Sequence, residues 1–172
     1  ELPVLDLPTD NPRSKESEIA GTNIEFEIGK QLTGQLNQLA VENDTTLFVV
    51  LLAVYNVLLS RYTNQEDIVV GSAVTGRTHR EFNPVIGMFV NTLALRNKPH
   101  PGKTFKQFLH EVTQNTFSAF ENQDYPFEVL VEKVTPDRTL NRSPLFDTML
   151  VLQNYTRGIR VSDPGHEELS LN

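Results

Sequence analysis

The sequence predicts an α/β (α+β) layered sandwich, and three observations carry that prediction. Runs of period-two alternation are interleaved with runs of helical spacing in the order β-α-α-β-β-α-α-β, the pattern of a sheet with helices packed on it. One helical run, Thr45 to Arg61, is apolar on nearly every side, so it has to be buried on several sides. Finally, 38% of the 172 residues are hydrophobic and 22% charged, which suits one globular core and not a disordered chain.

The elements follow in order. Residues 1–22 place Pro3, Pro8 and Pro12 among polar and charged residues and read as an extended linker. Ile24, Phe26 and Ile28 alternate with Glu25 and Glu27, the mark of a half-buried strand over Asn23 to Ile28. Lys30 to Glu42 puts Leu32, Leu36, Leu39 and Ala40 on one face of a helix. Thr45 to Arg61 is the central core helix, with Asp44 or Thr45 as its cap. Asp67 to Val74 is a strand that stops at Thr75-Gly76-Arg77, and Phe89 to Leu95 is the next. Thr104 and Gln107 have the spacing of a capping box, opening a long amphipathic helix that runs to about Glu121. Pro126 stops that helix from continuing and starts a short one reaching Val134, with Asp124 placed to cap it. Phe146 to Leu152 is the last strand, and residues 155–172 form a polar tail expected to be disordered.

Composition excludes several classes. A net charge of −7 with no basic stripe argues against a nucleic-acid partner. No Cys is present, so disulfides, thiol nucleophiles and thiolate metal sites are excluded, and a cytoplasmic location is the natural expectation. The longest apolar stretch, Leu47 to Tyr55, is far shorter than the roughly 20 residues that span a bilayer, so no membrane association is expected. His79, His100, His110 and His166 are scattered without metal-ligand spacing, and no Ser sits in a nucleophile elbow. No metal site and no self-contained catalytic group are therefore expected.

Three segments stand out. Ile86 to Arg96 carries Asn91 and Thr92 inside an otherwise apolar strand. A dry, unpaired amide there costs roughly 1–3 kcal/mol, so the pair either hydrogen-bonds within the core or lines a wet channel. Glu121 to Glu128 contains Gln123-Asp124-Tyr125-Pro126-Phe127-Glu128, in which Phe127 can anchor the turn and Glu128 can favour the first helical turn through the dipole. Arg138 to Phe146 is a polar loop with Arg138, Arg142 and Pro144 ahead of a strand, and its arginines can bind phosphate or pair with carboxylates.

Taken in this order, and with Leu2 to Arg13, Arg61 to Gly71 and Gly76-Arg77 as flanks, these segments resemble the second lobe of condensation domains from non-ribosomal peptide synthetases. The resemblance implies the two-lobe chloramphenicol-acetyltransferase-like fold, of which this chain is one lobe. Residues 1–22 would be the inter-lobe linker, 23–154 the C-terminal lobe, and 155–172 a tail outside the family pattern. Such domains form amide bonds between thioesters that carrier proteins present on phosphopantetheine arms in a tunnel between the lobes; no cofactor is bound directly. The family's general base, in a His-His-x-x-x-Asp-Gly motif, belongs to the first lobe and is absent here.

The resemblance also distributes roles. Asn91, Thr92, Gly76 and Arg77 become candidates for lining the tunnel or positioning substrate. Gly87, Phe89, Arg96, Gln123, Asp124, Pro126, Phe127, Glu128, Arg138, Arg142 and Pro144 are the structural residues of the motifs. Thr139 departs from the family, standing where Asp is common. The expected partners are the N-terminal lobe, peptidyl or acyl carrier proteins, and a second copy through the exposed lobe face. The expected function is a share in peptide-bond formation in antibiotic biosynthesis. The alternatives are a non-catalytic docking module for carrier proteins or a partner lobe, and a stand-alone acyl-CoA acyltransferase, which the missing base disfavours.

Overall fold

The computed structural model describes residues 2–10, 21–134 and 143–153. Its elements are α1 (Lys30–Glu42), α2 (Leu47–Thr63), β1 (Ile68–Val74), a 3-10 turn (Arg80–Phe82), β2 (Asn91–Asn97), α3 (Phe105–Glu121) and α4 (Phe127–Val134). β1 and β2 are antiparallel, with Ile68 opposite Asn97 and Val74 opposite Asn91. Residues 148–150 run along the other edge of β1. There the Gly71 N–H donates to the Thr148 carbonyl and the Leu150 N–H to the Gly71 carbonyl, forming a parallel bridge between Gly71 and Met149.

Helices cover both faces of this sheet, which makes the sandwich. On one side Ile68, Val70, Leu93 and Leu95 pack with Val49, Val50, Leu52 and Ala53 of α2 and with Phe108, Leu109 and Val112 of α3. On the other, Val69 and Ala94 meet Val131 and Leu130 of α4 and, from the last segment, Leu145 and Phe146. A strand buried on both faces loses its need for polar alternation, which is why β1 reads as a continuous apolar run.

Local signals placed the helices well. The Thr104 and Gln107 side chains form the expected reciprocal capping box at the start of α3. α1 and the end of α3 fall where the spacing puts them. The cap of α2 is Thr46, not Asp44 or Thr45: its hydroxyl accepts from the Val49 N–H at 3.3 Å. Thr45 is engaged elsewhere, through a 3.0 Å hydrogen bond between its hydroxyl and that of Thr113 on α3. α2 is also not covered all round, since Val54, Leu58 and Tyr62 face outward.

Two expectations for strands are corrected. Asn23 to Ile28 is not a strand: it carries no ladder, and Ile24 and Phe26 are 86% and 81% exposed. Alternation marks a face able to pack, but a strand exists only where another strand supplies hydrogen bonds, and among the described residues none pairs with this one. Phe146 to Leu152 makes the single bridge at Met149 in place of a full strand. The extended lead-in is docked over residues 2–7. Leu5 is buried, and the Gln65 side-chain amide accepts from the Asp6 N–H at 2.8 Å while donating to the Val4 carbonyl at 2.8 Å.

Candidate functional site

At the end of the sheet where β1 leaves and β2 enters, two of the three motif segments meet through one side chain. Asn91 opens β2, and its amide nitrogen donates to the Gln123 carbonyl at 2.7 Å and to the Tyr125 carbonyl at 2.8 Å. Its amide oxygen accepts from the Phe127 N–H at 3.2 Å. Phe127 is the first residue of α4, and the residue before it, Pro126, has no side chain able to accept that proton. Asn91 therefore caps α4 from 36 positions away.

All three Asn91 hydrogen bonds go to main chain, the internal pairing that was one of the two readings open for it. Asp124, expected to cap α4, is exposed and makes no hydrogen bond among the described residues. Thr92 is half-buried opposite Ala73. Glu128 lies in the first turn of α4, where its charge suits the helix dipole.

The third motif segment joins through aromatic packing. Phe127 and Phe146 lie 5.6 Å apart, centroid to centroid. The Phe146 ring also covers Gly71, where an added Cβ would meet it at 2.4 Å. A glycine in the middle of a β-branched run is the sequence signal for such a close approach, and its meaning was not read from the sequence. Pro144 is half-buried just ahead of Leu145, whereas Arg138 and Arg142 lie outside the described residues.

Gly76 and Arg77 organise the loop between the strands. Gly76 has φ of +61°, and a Cβ there would sit 1.8 Å from the Phe89 carbonyl oxygen, so only glycine fits. The Arg77 guanidinium donates to the Phe82 carbonyl and to the Val85 carbonyl, the latter at 3.0 Å. It also lies 4.3 Å from the centroid of the Phe89 ring, which stacks on Phe82 at 5.5 Å. Phe82 is thus a member that the sequence reading missed. Gly87 is open by comparison, with the Phe89 ring only in ordinary contact range of an added Cβ.

From this pinned loop the segment from Val85 to Val90 turns apolar side chains outward: Ile86 and Met88 are fully exposed and Val90 is 62% exposed.

Arg96, further along β2, grips Asp67 with two parallel bonds, Nε to Oδ1 at 2.8 Å and Nη2 to Oδ2 at 2.6 Å. Those hydrogen bonds hold the Asp67 carboxyl below its ordinary value and raise the Arg96 guanidinium.

No described histidine is set up as a base. His79 meets Phe82 edge-on, the Gln114 side-chain amide is 3.0 Å from a ring nitrogen of His110, and His100 accepts from the Gly102 N–H at 3.0 Å with Glu66 at 3.6 Å on its other nitrogen. His166 lies outside the described residues. Among the described residues there is no cluster of acidic or histidine side chains suited to a metal ion, and no single helix long and apolar enough to cross a membrane. What the site can do is hold a rigid wall: one amide, one guanidinium and two glycines lock three separate segments.

Comparison with known proteins bears on what that wall serves. A family model described as Condensation domain matches residues 1–170, which includes most of the tail that the sequence reading had set apart from the family. Gramicidin S synthase 2 of Brevibacillus brevis is 55% identical over 154 residues, 90% of this chain and 4% of the relative. Tyrocidine synthase 3 of Brevibacillus parabrevis is 57% identical over 154 residues, 90% of this chain and 2% of the relative. The chain thus spans a few per cent of the length of these relatives.

Among solved structures, the holo form of a four-domain nonribosomal peptide synthetase bound to AMP and glycine superposes with a TM-score of 0.85 at 28% identity, covering 88% of this chain and 12% of that one. The X-domain from teicoplanin biosynthesis shares the fold at 20% identity, with a TM-score of 0.78 over 84% of this chain and 32% of that one.

Proposed function

The chain belongs to the condensation-domain family, and from that premise we propose that it is the C-terminal lobe of a domain forming amide bonds in non-ribosomal peptide biosynthesis. The observation that carries the reading is the meeting of the three family segments at one corner: Asn91 binds the main chain from Gln123 to Phe127, and Phe127 packs on Phe146 over Gly71. Relatives at 55% and 57% identity that are themselves peptide synthetases favour this over a docking module without catalysis.

In the reaction, an acceptor amine on one carrier-bound arm attacks the thioester carbonyl of the donor on another. The C–N bond forms, the C–S bond breaks, and a base takes the amine proton and passes it to the departing sulfur, so that the donor arm leaves as the thiol. This chain contributes position. Asn91 fixes the β2 entrance against α4, and Arg77 fixes the loop on which Ile86, Met88 and Val90 stand outward. Those three side chains suit contact with the N-terminal lobe or, when the chain is alone, with a second copy of itself. Carrier proteins are the remaining partners, and phosphopantetheine enters only as the arm that carries substrate. The location proposed is the cytoplasm.

Because the sequence lacks the His-His-x-x-x-Asp-Gly motif and supplies one wall of the tunnel, the isolated chain is expected to form no amide bond between loaded carrier proteins. Absence of a general base typically removes 10²–10⁴-fold of rate on its own. A single-turnover assay with both carriers loaded tests this. Product above the carrier-only background would overturn the assignment of the base to the other lobe. Restored condensation when the N-terminal lobe is supplied would support it.

A further inference from the structure

At the opposite end of β2 from Asn91, a second concave site has chemistry of its own. The six residue steps of the strand place it roughly 20 Å away. It is a half-open cleft of about 340 Å³ between the C-terminal end of α2 and the loop that leads into α3, a size suited to a small molecule. Val57, Phe105 and Phe108 form an apolar floor, and Phe105 remains 38% exposed there. Arg61, Glu66, His100 and Lys103 stand around it.

The loop wall is rigid. Pro99 and Pro101 flank His100, and the Lys103 N–H donates to the His100 carbonyl at 3.0 Å. The Gly102 N–H donates to His100 Nδ1 at 3.0 Å, so the neutral ring carries its proton on Nε2 and presents it towards Glu66. Lys103 is consumed by Glu111, at 2.6 Å, and by the Lys98 carbonyl, at 3.2 Å. One guanidinium and one carboxylate are left for a ligand. Arg61 makes no ion pair among the described residues, and Glu66 has only the loose His100 contact. An anion would satisfy Arg61 and be repelled by Glu66, and a cation would do the reverse. A dipolar molecule satisfies both, and the uncovered Phe105 adds a requirement for apolar bulk.

We propose that this cleft binds a zwitterion with a large apolar side chain, the chemistry of a free α-amino acid, its carboxylate on Arg61, its ammonium on Glu66 and its side chain on Phe105 and Phe108. The site is independent of the condensation chemistry, so its test does not depend on that reading.

The test is a titration of the full ¹⁵N-labelled chain with phenylalanine, followed by two-dimensional NMR. The expected result is a saturable shift of amides in residues 57–66 and 99–108, with millimolar or tighter affinity. Arg61→Gln and Glu66→Gln should each weaken binding by about tenfold or more, the usual worth of one charge-assisted hydrogen bond. Both side chains are exposed, and a thermal melt verifies that each variant is folded. N-acetylphenylalanine and phenylalanine amide, each lacking one charge, should both bind more weakly to the unaltered chain. Absence of saturable shifts, or either analogue binding as well as phenylalanine, would overturn the proposal.

Discussion

Replacing Asn91 by alanine removes three hydrogen bonds at once, and the structure sets what that costs. The lost cap of α4 is worth about 1 kcal/mol, because the Phe127 N–H has no substitute acceptor with Pro126 before it. The two carbonyls, of Gln123 and Tyr125, lose their donors in half-buried and exposed surroundings, where water replaces part of the loss; about 0.5 kcal/mol each is reasonable. The sum is about 2 kcal/mol, equivalent to a fall of roughly 4–8 °C in Tm for a chain of this size. Asn91→Asp keeps the acceptor for Phe127 but turns a carboxylate oxygen against the Gln123 and Tyr125 carbonyls, so its Tm should fall at least as far as that of Asn91→Ala. Melting followed by circular dichroism measures stability, and single-turnover condensation in the complete two-lobe domain measures function. The rate should fall along with Tm, because the clamp sets the position of the corner. An unchanged Tm would refute the clamp. A lowered Tm with an unchanged rate would return Asn91 to the scaffold alone.

Gly76→Ala should cost about 2–4 kcal/mol, since the new Cβ meets the Phe89 carbonyl oxygen in a left-handed conformation; a denaturation midpoint equal to that of the unaltered chain would contradict this. Gly71→Ala should displace the Phe146 ring and cost about 1–3 kcal/mol, with Phe127 shifting in the aromatic NMR spectrum. The Asp67 carboxyl is held below its ordinary value, so its pairing with Arg96 contributes stability above about pH 4 and loses it as pH falls further. With the two side chains 33% and 42% exposed, that contribution is below about 1 kcal/mol. Comparing Tm at neutral and acid pH for Asp67→Asn against the unaltered chain checks it, and the difference between the two should shrink in acid.

The sequence by itself determined whatever depends on neighbours within a turn or two. The capping box at Thr104 and Gln107, the bounds of α1 and the break at Pro126 are decided by residues three or four positions apart, and the structure has each of them. It also singled out the residues of the corner, because a polar pair in an apolar strand and a proline after a long helix are anomalies visible along the chain. Their work was decided only by the tertiary structure. The cap of α4 comes from Asn91 and not from the nearby Asp124, since a cap needs only a correctly placed acceptor, and folding brings one from 36 positions away. Gly71 and Gly76 are required by the Phe146 ring and the Phe89 carbonyl, partners that no local pattern identifies. Asn23 to Ile28 shows the converse: its alternation is strand-like, yet it forms no strand, because a helix closes its hydrogen bonds within its own segment and a strand depends on another.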